Sequence, residues 1–247
     1  MVKDTTDGQG HNGWVGLQQM VKYTIDRDPK YVFHHPNVQS ILLWLFQSQD
    51  DPKIKKLLTN PKELPKGNVL VVGAGSSGSQ ITAELMKTER KIFLSVGAHD
   101  RPPRRYRNRD FCWWLGVLNL WDAEANPSST HTTIAVSGAD GGATVDFRNL
   151  ATQGLTLLGL TETYENGILT FADNLGENIR EGDESYLSIL DRADAYADRN
   201  GLNLPPDPKA REIGPDPECI TRPIRSIDVF AENITTILWA TGFSNDY

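Results

Sequence analysis

Cysteine is scarce in this 247-residue chain, which carries only Cys112 and Cys219. The two lie far apart and form no C-x-x-C pair, which excludes a disulfide scaffold and a cysteine-rich zinc site. The formal net charge of −7 argues against general attraction to nucleic acid or to an anionic membrane. The longest apolar run, Ile41–Phe46, is too short to cross a bilayer, and the polar N-terminus predicts no signal peptide. We therefore expect a cytoplasmic protein with neither a nucleic-acid nor a membrane partner.

Motifs of protein-based catalysis are missing as well. The sequence contains no G-x-S-x-G, H-E-x-x-H or Walker A motif and no Ser/His/Asp pattern. The adjacent pair His34–His35 has no carboxylate at a suitable spacing, so we interpret it as surface or packing histidines and predict no metal site. Any chemistry is then expected to come from a bound cofactor.

The most informative stretch is Val69–Ile81, in which an apolar run precedes glycines in G-x-G-x-x-G spacing. Val69–Val72 predicts a buried parallel strand, and a helix is expected to begin near Ser77. Strand, glycine turn and helix in this order are typical of dinucleotide binding, because the turn lets the backbone approach a pyrophosphate at the helix N-terminus. The alternative is a glycine-rich turn without a ligand. The three glycines of the spacing are Gly73, Gly75 and Gly78.

The choice between NAD and NADP is expected at the end of the next strand, predicted at Lys91–Val96. An NAD site places a carboxylate about 20 residues after the glycines, whereas this strand ends without one. Arginines follow instead, and a guanidinium suits a 2′-phosphate, so the sequence favours NADP. Asp100 could take the acidic role if the strand ends late, and the arginines could form a solvated basic loop. The arginines are Arg101, Arg104, Arg105, Arg107 and Arg109.

The remaining pattern predicts further strands and helices. The apolar patch VQSILLWLF predicts a helix from about 37 to 47, with a short helix expected at 52–58 after it. Asn166–Gly167 lies between two β-rich runs and predicts a hairpin within 160–171. The other expected elements are a helix at Phe111–Trp121, a loop at 126–143 with a short strand at 133–136, a helix at Phe147–Gln153, a strand at 155–158, a helix at Glu184–Arg199, an extended proline-rich connection at 204–217 and a last strand at Ile237–Ala240.

Several separated stretches occur in one order and together resemble flavin-containing monooxygenase-like flavoproteins: GAGSSG, SVGAHDRPPRRYRNRDFCWWL, DFRNLATQGLTLLG, FADNLGENI and ILWATGFSNDY. The resemblance covers roughly residues 60–247, and such flavoproteins carry an NADPH domain inserted into an FAD domain. It implies that GAGSSG is the NADPH motif. On this resemblance the cofactor-binding residues are Gly73, Gly75, Ser76, Ser77 and Gly78 at the pyrophosphate, Arg101, Arg104 and Arg105 at the 2′-phosphate, and Thr241 and Gly242 in the A-T-G segment that returns towards the flavin domain.

The chain departs from this family in having no strand–glycine–helix unit for FAD before Val69. We therefore interpret residues 60–247 as an NADP-binding Rossmann-like domain with the FAD domain largely missing, and residues 1–59 as an N-terminal extension, helical or partly disordered, of unknown role. The expected fold class is α/β: a Rossmann-like parallel sheet with helices on both faces, plus a small β-hairpin. Truncation, a gene-model error and a true short paralogue all stay open.

The resemblance implies NADPH-dependent, FAD-mediated oxidation of a small organic substrate by an oxidoreductase or monooxygenase. Two other functions stay open. One is an NADP-binding module without flavin, inactive alone; the other is an NADP-dependent dehydrogenase, for which a Tyr-x-x-x-Lys motif is missing. The expected partners are a small-molecule substrate and either a missing flavin domain or a second copy of the chain. No residue is identified as a catalytic acid or base.

Overall fold

The structure is a computed structural model that describes residues 64–121, 133–137 and 142–241, together with the backbone of two strands at 33–35 and 38–44. The strands are β1 (Phe33–His35), β2 (Val38–Trp44), β3 (Asn68–Val72), β4 (Ile92–Ser95), β5 (His99–Asp100), β6 (Arg105–Tyr106), β7 (Arg109–Asp110), β8 (Thr133–Ile134), β9 (Thr156–Leu158), β10 (Thr161–Glu165), β11 (Ile168–Phe171), β12 (Ser226–Asp228) and β13 (Ile234–Trp239). The helices are α1 (Ser76–Met86), α2 (Phe111–Val117), α3 (Phe147–Thr152), α4 (Leu175–Arg199) and α5 (Glu218–Thr221), with a 3₁₀ helix at Pro208–Arg211.

The main sheet has six strands in the order β1-β2-β13-β3-β4-β9. Strands β2 to β9 in this order pair in parallel, and β1 is antiparallel to β2. The chain moves outward from β3 through β4 to β9 and later returns with β13 on the other side of β3. In such open sheets a ligand crevice lies outside the carboxyl ends of the strands where the strand order reverses. Four strand ends are in register at this edge: Trp239 beside Val72, Val72 beside Ser95, and Ser95 beside Leu158.

Side chains of β3 alternate between two cores, one on each face of the sheet. Val69 and Val71 belong to the core that α1, α3, α4 and α5 cover, whereas Leu70 and Val72 belong to the core covered by the antiparallel sheet β10-β11-β12. All four are buried, as expected for a central strand of a parallel sheet. The predicted α/β class is therefore confirmed, and in the described residues the second face carries the small antiparallel sheet.

The predicted helix at 37–47 is wrong, because Val38–Trp44 is strand β2. This strand pairs in parallel with β13, from Ile41 beside Thr236 to Trp44 beside Trp239. A short continuous apolar run fits a buried strand and a buried helix equally well, and β13 as a partner decides the choice. The helix expected at 52–58 lies outside the described residues.

The hairpin turn was predicted correctly, whereas the start of the long helix was not. The hairpin is confirmed: Asn166 and Gly167 have φ of +51° and +89° and join β10 to β11, as a type I′ turn requires. Helix α4, predicted from Glu184, begins nine residues earlier at Leu175. Its first half buries Asn178 and Asp183, and these polar residues interrupt the apolar period on which the prediction depended.

Within the described residues no helix is long and apolar enough to span a membrane.

Helix α1 packs against the sheet through glycines at close backbone contacts. Gly73 has φ of +104°, and a side chain there would overlap the carbonyl group of Ala240 at the end of β13. A side chain at Gly78 would overlap the Gly73 carbonyl oxygen. These are two of the roles that the glycine spacing predicts, a tight turn and close helix–strand packing.

Gly78→Ala should lower the free energy of unfolding by about 1–3 kcal/mol, the usual cost of overpacking, because the added methyl group meets the backbone of Gly73. Gly176→Ala is the matched control, since Gly176 is also helical but an added methyl group lies 4.0 Å from its nearest neighbour, Ile220. It should raise stability by up to about 1 kcal/mol through helix propensity. Urea denaturation of both variants measures the difference, and equal effects would contradict the packing argument.

Candidate functional site

A cavity of about 200 Å³ lies at the carboxyl edge of the main sheet. Its wall is built from residues that end or closely follow β3, β4, β9 and β13, together with the first residues of β5, β8 and β10. It therefore occupies the place where a ligand is expected in an open parallel sheet. The lining residues are Val72, Gly73, Ala74, Ser95, Gly97, Ala98, His99, Thr133, Leu160, Thr161, Trp239, Ala240 and Thr241.

The glycine turn joins β3 to α1 beside this cavity. The Gly73 amide donates a hydrogen bond of 3.0 Å to the Ser95 carbonyl oxygen, which fixes the turn to the end of β4. Gly75 is the N-cap residue of α1 and provides no side-chain cap. The first amides of an α-helix have no partner within the helix and carry a partial positive charge. The turn therefore offers backbone donors suited to an anion such as a pyrophosphate.

The other three residues predicted at the pyrophosphate have different surroundings. Ser76 begins α1, and its hydroxyl donates a hydrogen bond of 2.9 Å to the Ile134 carbonyl oxygen. Ser77 is exposed, and Gly78 is buried in the contact between α1 and the sheet. Of the five residues predicted at the pyrophosphate, Gly73 lines the cavity. Contacts of all five residues with a ligand stay predictions.

Two buried hydroxyl groups form a short network on the cavity wall. The Ser95 hydroxyl donates to the Gly159 carbonyl oxygen at 2.9 Å and accepts hydrogen bonds from the hydroxyl and the amide of Thr161 at 2.8 and 3.1 Å. The network fixes the end of β4 to the connection between β9 and β10. The exposed side chain of Leu160 also lines the cavity and adds an apolar surface.

His99 is the ionisable side chain among the described residues that line the cavity. It is 3% exposed, and its ring packs edge-on against Phe147. Nδ1 lies 3.0 Å from the Gly97 carbonyl oxygen and therefore carries the hydrogen, whereas Nε2 is buried without a hydrogen-bond partner in the part of the chain that the structure describes. Burial lowers the pKa of His99, the hydrogen bond to Gly97 opposes this shift, and the charge of Arg101 adds to it. The ring is thus neutral at neutral pH.

The end of β13 supplies the opposite wall of the cavity. Trp239 is 6% exposed, and its Nε1 is buried with no hydrogen-bond partner among the described residues. The Ala240 amide donates a hydrogen bond of 2.7 Å to the Val72 carbonyl oxygen, which ties this end to β3. Thr241, predicted as cofactor-binding, is exposed and lines the cavity. Gly242, predicted with it, lies outside the described residues.

Arg101, predicted at the 2′-phosphate, is buried and paired with an acidic residue of α4. Its Nε and Nη2 lie 2.9 and 2.6 Å from Asp183 Oδ1, and its guanidinium stacks on the Tyr186 ring at 4.4 Å. Asp183 also pairs with Arg148, so two guanidinium groups share one buried carboxylate. In this arrangement the charge of Arg101 is already compensated. A phosphate contact of Arg101 stays a prediction, and the ion pair gives the residue a structural role as well.

Arg104 and Arg105, the other two residues predicted at the 2′-phosphate, are more accessible. Arg104 is half-buried, with Nη1 2.5 Å from Asp110 Oδ2. Arg105 is exposed and makes no ion pair within the described part of the chain. Of the three predicted arginines, Arg105 is therefore the one whose charge is uncompensated there. Two further arginines of this loop have other contacts: Arg107 pairs with Asp194, and Arg109 stacks on Trp113.

Most residues of the cavity wall carry no motif that predicts them from the sequence. Ser95, His99, Thr161 and Trp239 were not predicted as site residues, although each ends a parallel strand or follows one closely. That position was the available signal, since ligands of open parallel sheets lie outside the carboxyl ends of the strands. Among the residues that the structure describes, no group of three or more His, Cys, Asp or Glu side chains is placed to hold a metal ion.

Three bacterial proteins with partial sequence similarity are named as oxidoreductases. The uncharacterized oxidoreductase CzcO-like protein of Geobacillus kaustophilus (strain HTA426) is 33% identical over 117 residues, which cover 47% of this chain and 33% of that protein. The uncharacterized oxidoreductase CzcO of Bacillus subtilis (strain 168) is 40% identical over 103 residues, or 41% of this chain and 28% of that protein. The corresponding Bacillus velezensis protein is 38% identical over 112 residues.

These similarities are partial. The chain spans about a third or less of the length of the curated relatives it matches. No family model matches the chain, and no solved structure matches it. The comparisons therefore show similarity to oxidoreductases over part of the chain.

Arg101→Ala should lower the free energy of unfolding by about 1.5–3 kcal/mol, the usual contribution of hydrogen bonds to a charged group, because Arg148 still pairs with the buried carboxylate of Asp183. The substitution leaves Asp183 with Arg148 alone and removes the stacking contact on Tyr186. Arg222→Ala is the control, because the pair between Arg222 and Glu218 is exposed and such pairs are worth at most about 1 kcal/mol. Chemical denaturation compares the two variants. A native-like stability of Arg101→Ala would contradict the structural role.

Proposed function

We propose that the chain binds NADP(H) at the glycine turn and acts as the nicotinamide-nucleotide-binding part of an oxidoreductase. The observation that carries this proposal is the position of the turn. Gly73 and Ala74 line a cavity at the reversal of strand order, beside the uncapped N-terminus of α1. Relatives named as oxidoreductases support the reaction class.

The chemistry of the residues present fits such a nucleotide. The first amides of α1 suit the pyrophosphate, because they are donors at the positive end of a helix. The Ser95 hydroxyl is fully used by Gly159 and Thr161, whereas the Thr161 hydroxyl can still accept a hydrogen bond from a ribose hydroxyl group. Leu160 offers an apolar surface for a base. A cavity of about 200 Å³ is smaller than the roughly 300–1,000 Å³ of typical ligand pockets. We therefore expect it to receive one part of the dinucleotide.

NADPH supplies a hydride when it is bound, and the described residues bind and orient it. Hydrogen bonds from Gly73 to Ser95 and from Ala240 to Val72 hold three strand ends at fixed positions around the site. The neutral ring of His99 adds a rigid part of the wall, because its buried Nε2 lies against Gly182 of α4. No residue among those described is assigned here as a proton donor to a substrate.

The 2′-phosphate is proposed to meet the loop that follows β5, with Arg105 as its first partner. Arg101 is committed to Asp183 and Arg104 to Asp110, whereas the charge of Arg105 is uncompensated in the described part of the chain. A charged guanidinium discriminates NADPH from NADH because NADH lacks the 2′-phosphate.

Arg105→Ala should raise the Kd for NADPH about 10- to 100-fold, since a hydrogen bond to a charged group contributes roughly 1.5–3 kcal/mol. The Kd for NADH should stay unchanged. Fluorescence titration with both nucleotides measures this, and Arg222→Ala serves as an exposed control. Equal losses for both nucleotides would assign Arg105 a structural role, and a native chain that binds neither nucleotide would overturn the proposed function.

FAD is the proposed electron acceptor. We propose that electrons from NADPH pass to FAD held by another domain or by a partner chain, in the oxidation of a small organic substrate in the cytoplasm. It is supported by the resemblance of the separated motifs to flavin-containing monooxygenase-like proteins. The rival is an NADP-binding module that acts without flavin.

The purified chain should retain no flavin after incubation with FAD and desalting, because its sequence holds a single strand–glycine–helix unit, at Val69–Ile81. Visible absorption before and after desalting measures this, with NADPH titration of the same sample as the positive control. A retained flavin spectrum would contradict the expectation and place FAD on this chain itself.

A further inference from the structure

We infer that the segment Thr133–Ile134, which we call the strap, covers the pyrophosphate position at the glycine turn and must shift before a dinucleotide can bind. This inference rests on the proposed function and adds a residue, Thr133, that sets the affinity of the site. The strap is strand β8, one edge of a two-stranded parallel pair with β5.

The strap occupies the space that the second glycine of the motif leaves open. A Cβ atom built on Gly75 would lie 2.7 Å from Cγ2 of Thr133. In dinucleotide-binding turns this glycine is needed because the pyrophosphate approaches the backbone there. Here the Thr133 methyl group is already at that position, so a pyrophosphate on Gly75 and the observed position of Thr133 exclude each other.

Two hydrogen bonds hold the strap in place. The Ser76 hydroxyl, at the first residue of α1, donates to the Ile134 carbonyl oxygen at 2.9 Å. The Ala135 amide, directly after the strap, donates to the Asp100 carbonyl oxygen of β5 at 2.7 Å. The strap is thus connected both to the helix end that would receive the phosphates and to β5, which carries His99.

The strand pairing of the strap is short compared with that of the strands in the main sheet. Among the described residues the strap pairs at two positions, His99 with Thr133 and Asp100 with Ile134. The Ile134 side chain is 47% exposed and so adds little core packing, whereas Ala135, directly after the strap, is fully buried and fixes its end. Segments with few buried contacts open at low free-energy cost. The strap can therefore move away while the main sheet stays intact.

If the strap competes with the nucleotide, the affinity for the nucleotide depends on how often the strap is open. The apparent Kd equals the intrinsic Kd divided by the fraction of molecules in which the strap is open. A substitution that removes the obstructing methyl group should raise that fraction and tighten binding. A substitution that keeps the methyl group should leave the Kd unchanged.

Thr133→Ser and Thr133→Val separate these cases. Thr133→Ser removes Cγ2 but keeps the hydroxyl group, and it should lower the Kd for NADPH about fivefold or more by raising the open fraction. Thr133→Val keeps the methyl group and replaces the hydroxyl group by a second methyl group, so the Kd should stay within about twofold of the native value. NADPH fluorescence titration of the native chain and both variants measures this, with thermal unfolding to verify that each variant is folded.

Other outcomes overturn the inference. If Thr133 were instead a phosphate ligand through its hydroxyl group, Thr133→Val would weaken binding and Thr133→Ser would not. Equal Kd values for all three proteins would show that the strap does not obstruct the site. In both cases the native chain still binds NADPH and the proposed function stands. Binding by none of the three proteins would overturn the proposed function itself.

Association kinetics provide an independent readout. If the strap opens before NADPH enters, the observed rate in stopped-flow fluorescence should reach a plateau as the NADPH concentration rises. Thr133→Ser should raise this plateau, whereas Thr133→Val should not. A rate that is linear in NADPH concentration and equal in all three proteins would contradict opening of the strap as the step before binding.

Discussion

The carboxyl edge of this fold depends on one close backbone contact, in which the start of α1, the end of β3 and the end of β13 meet without intervening side chains. Gly73 and Gly78 make this approach possible, because a side chain at either position would overlap backbone atoms. The contact fixes the N-terminus of α1 at the reversal of strand order. The cavity, its hydroxyl network and the end of β13 are all arranged around this fixed point.

A second constraint positions the segment that follows β4, on the side of the cavity away from β13. Helix α4 is bound to the segment 96–101, which includes β5, by the hydrogen bond from Asn178 to the Val96 carbonyl oxygen and by the ion pair between Arg101 and Asp183. Both polar groups of the helix are buried, so each needs its partner. The loop that would read the nucleotide ribose is therefore positioned by a helix of the core. Arginines on one loop consequently have different roles, since Arg101 serves this anchoring and Arg105 remains accessible.

Sequence patterns predicted the elements whose signals are local. The apolar run Val69–Val72, the glycine spacing after it and the Asn166–Gly167 turn each correspond to an observed element, because the backbone geometry of each is determined by its own residues. Patterns failed where a distant partner decides the structure. The run at Val38–Trp44 is a strand because β13 pairs with it, and α4 begins early because distant groups satisfy its buried polar residues.

The sequence by itself determined the turn and its chemistry: a strand, glycines that admit close backbone contacts, and a helix whose first amides suit an anion. Only the tertiary structure decided which side chains surround that turn. Ser95, Thr161 and Trp239 come from three separate strand ends, and Thr133 reaches Gly75 from β8, 58 residues further along the chain. The physical reason is that glycine geometry is a property of the local backbone. The neighbours of a site, in contrast, depend on strand order and register, which contacts between distant residues fix.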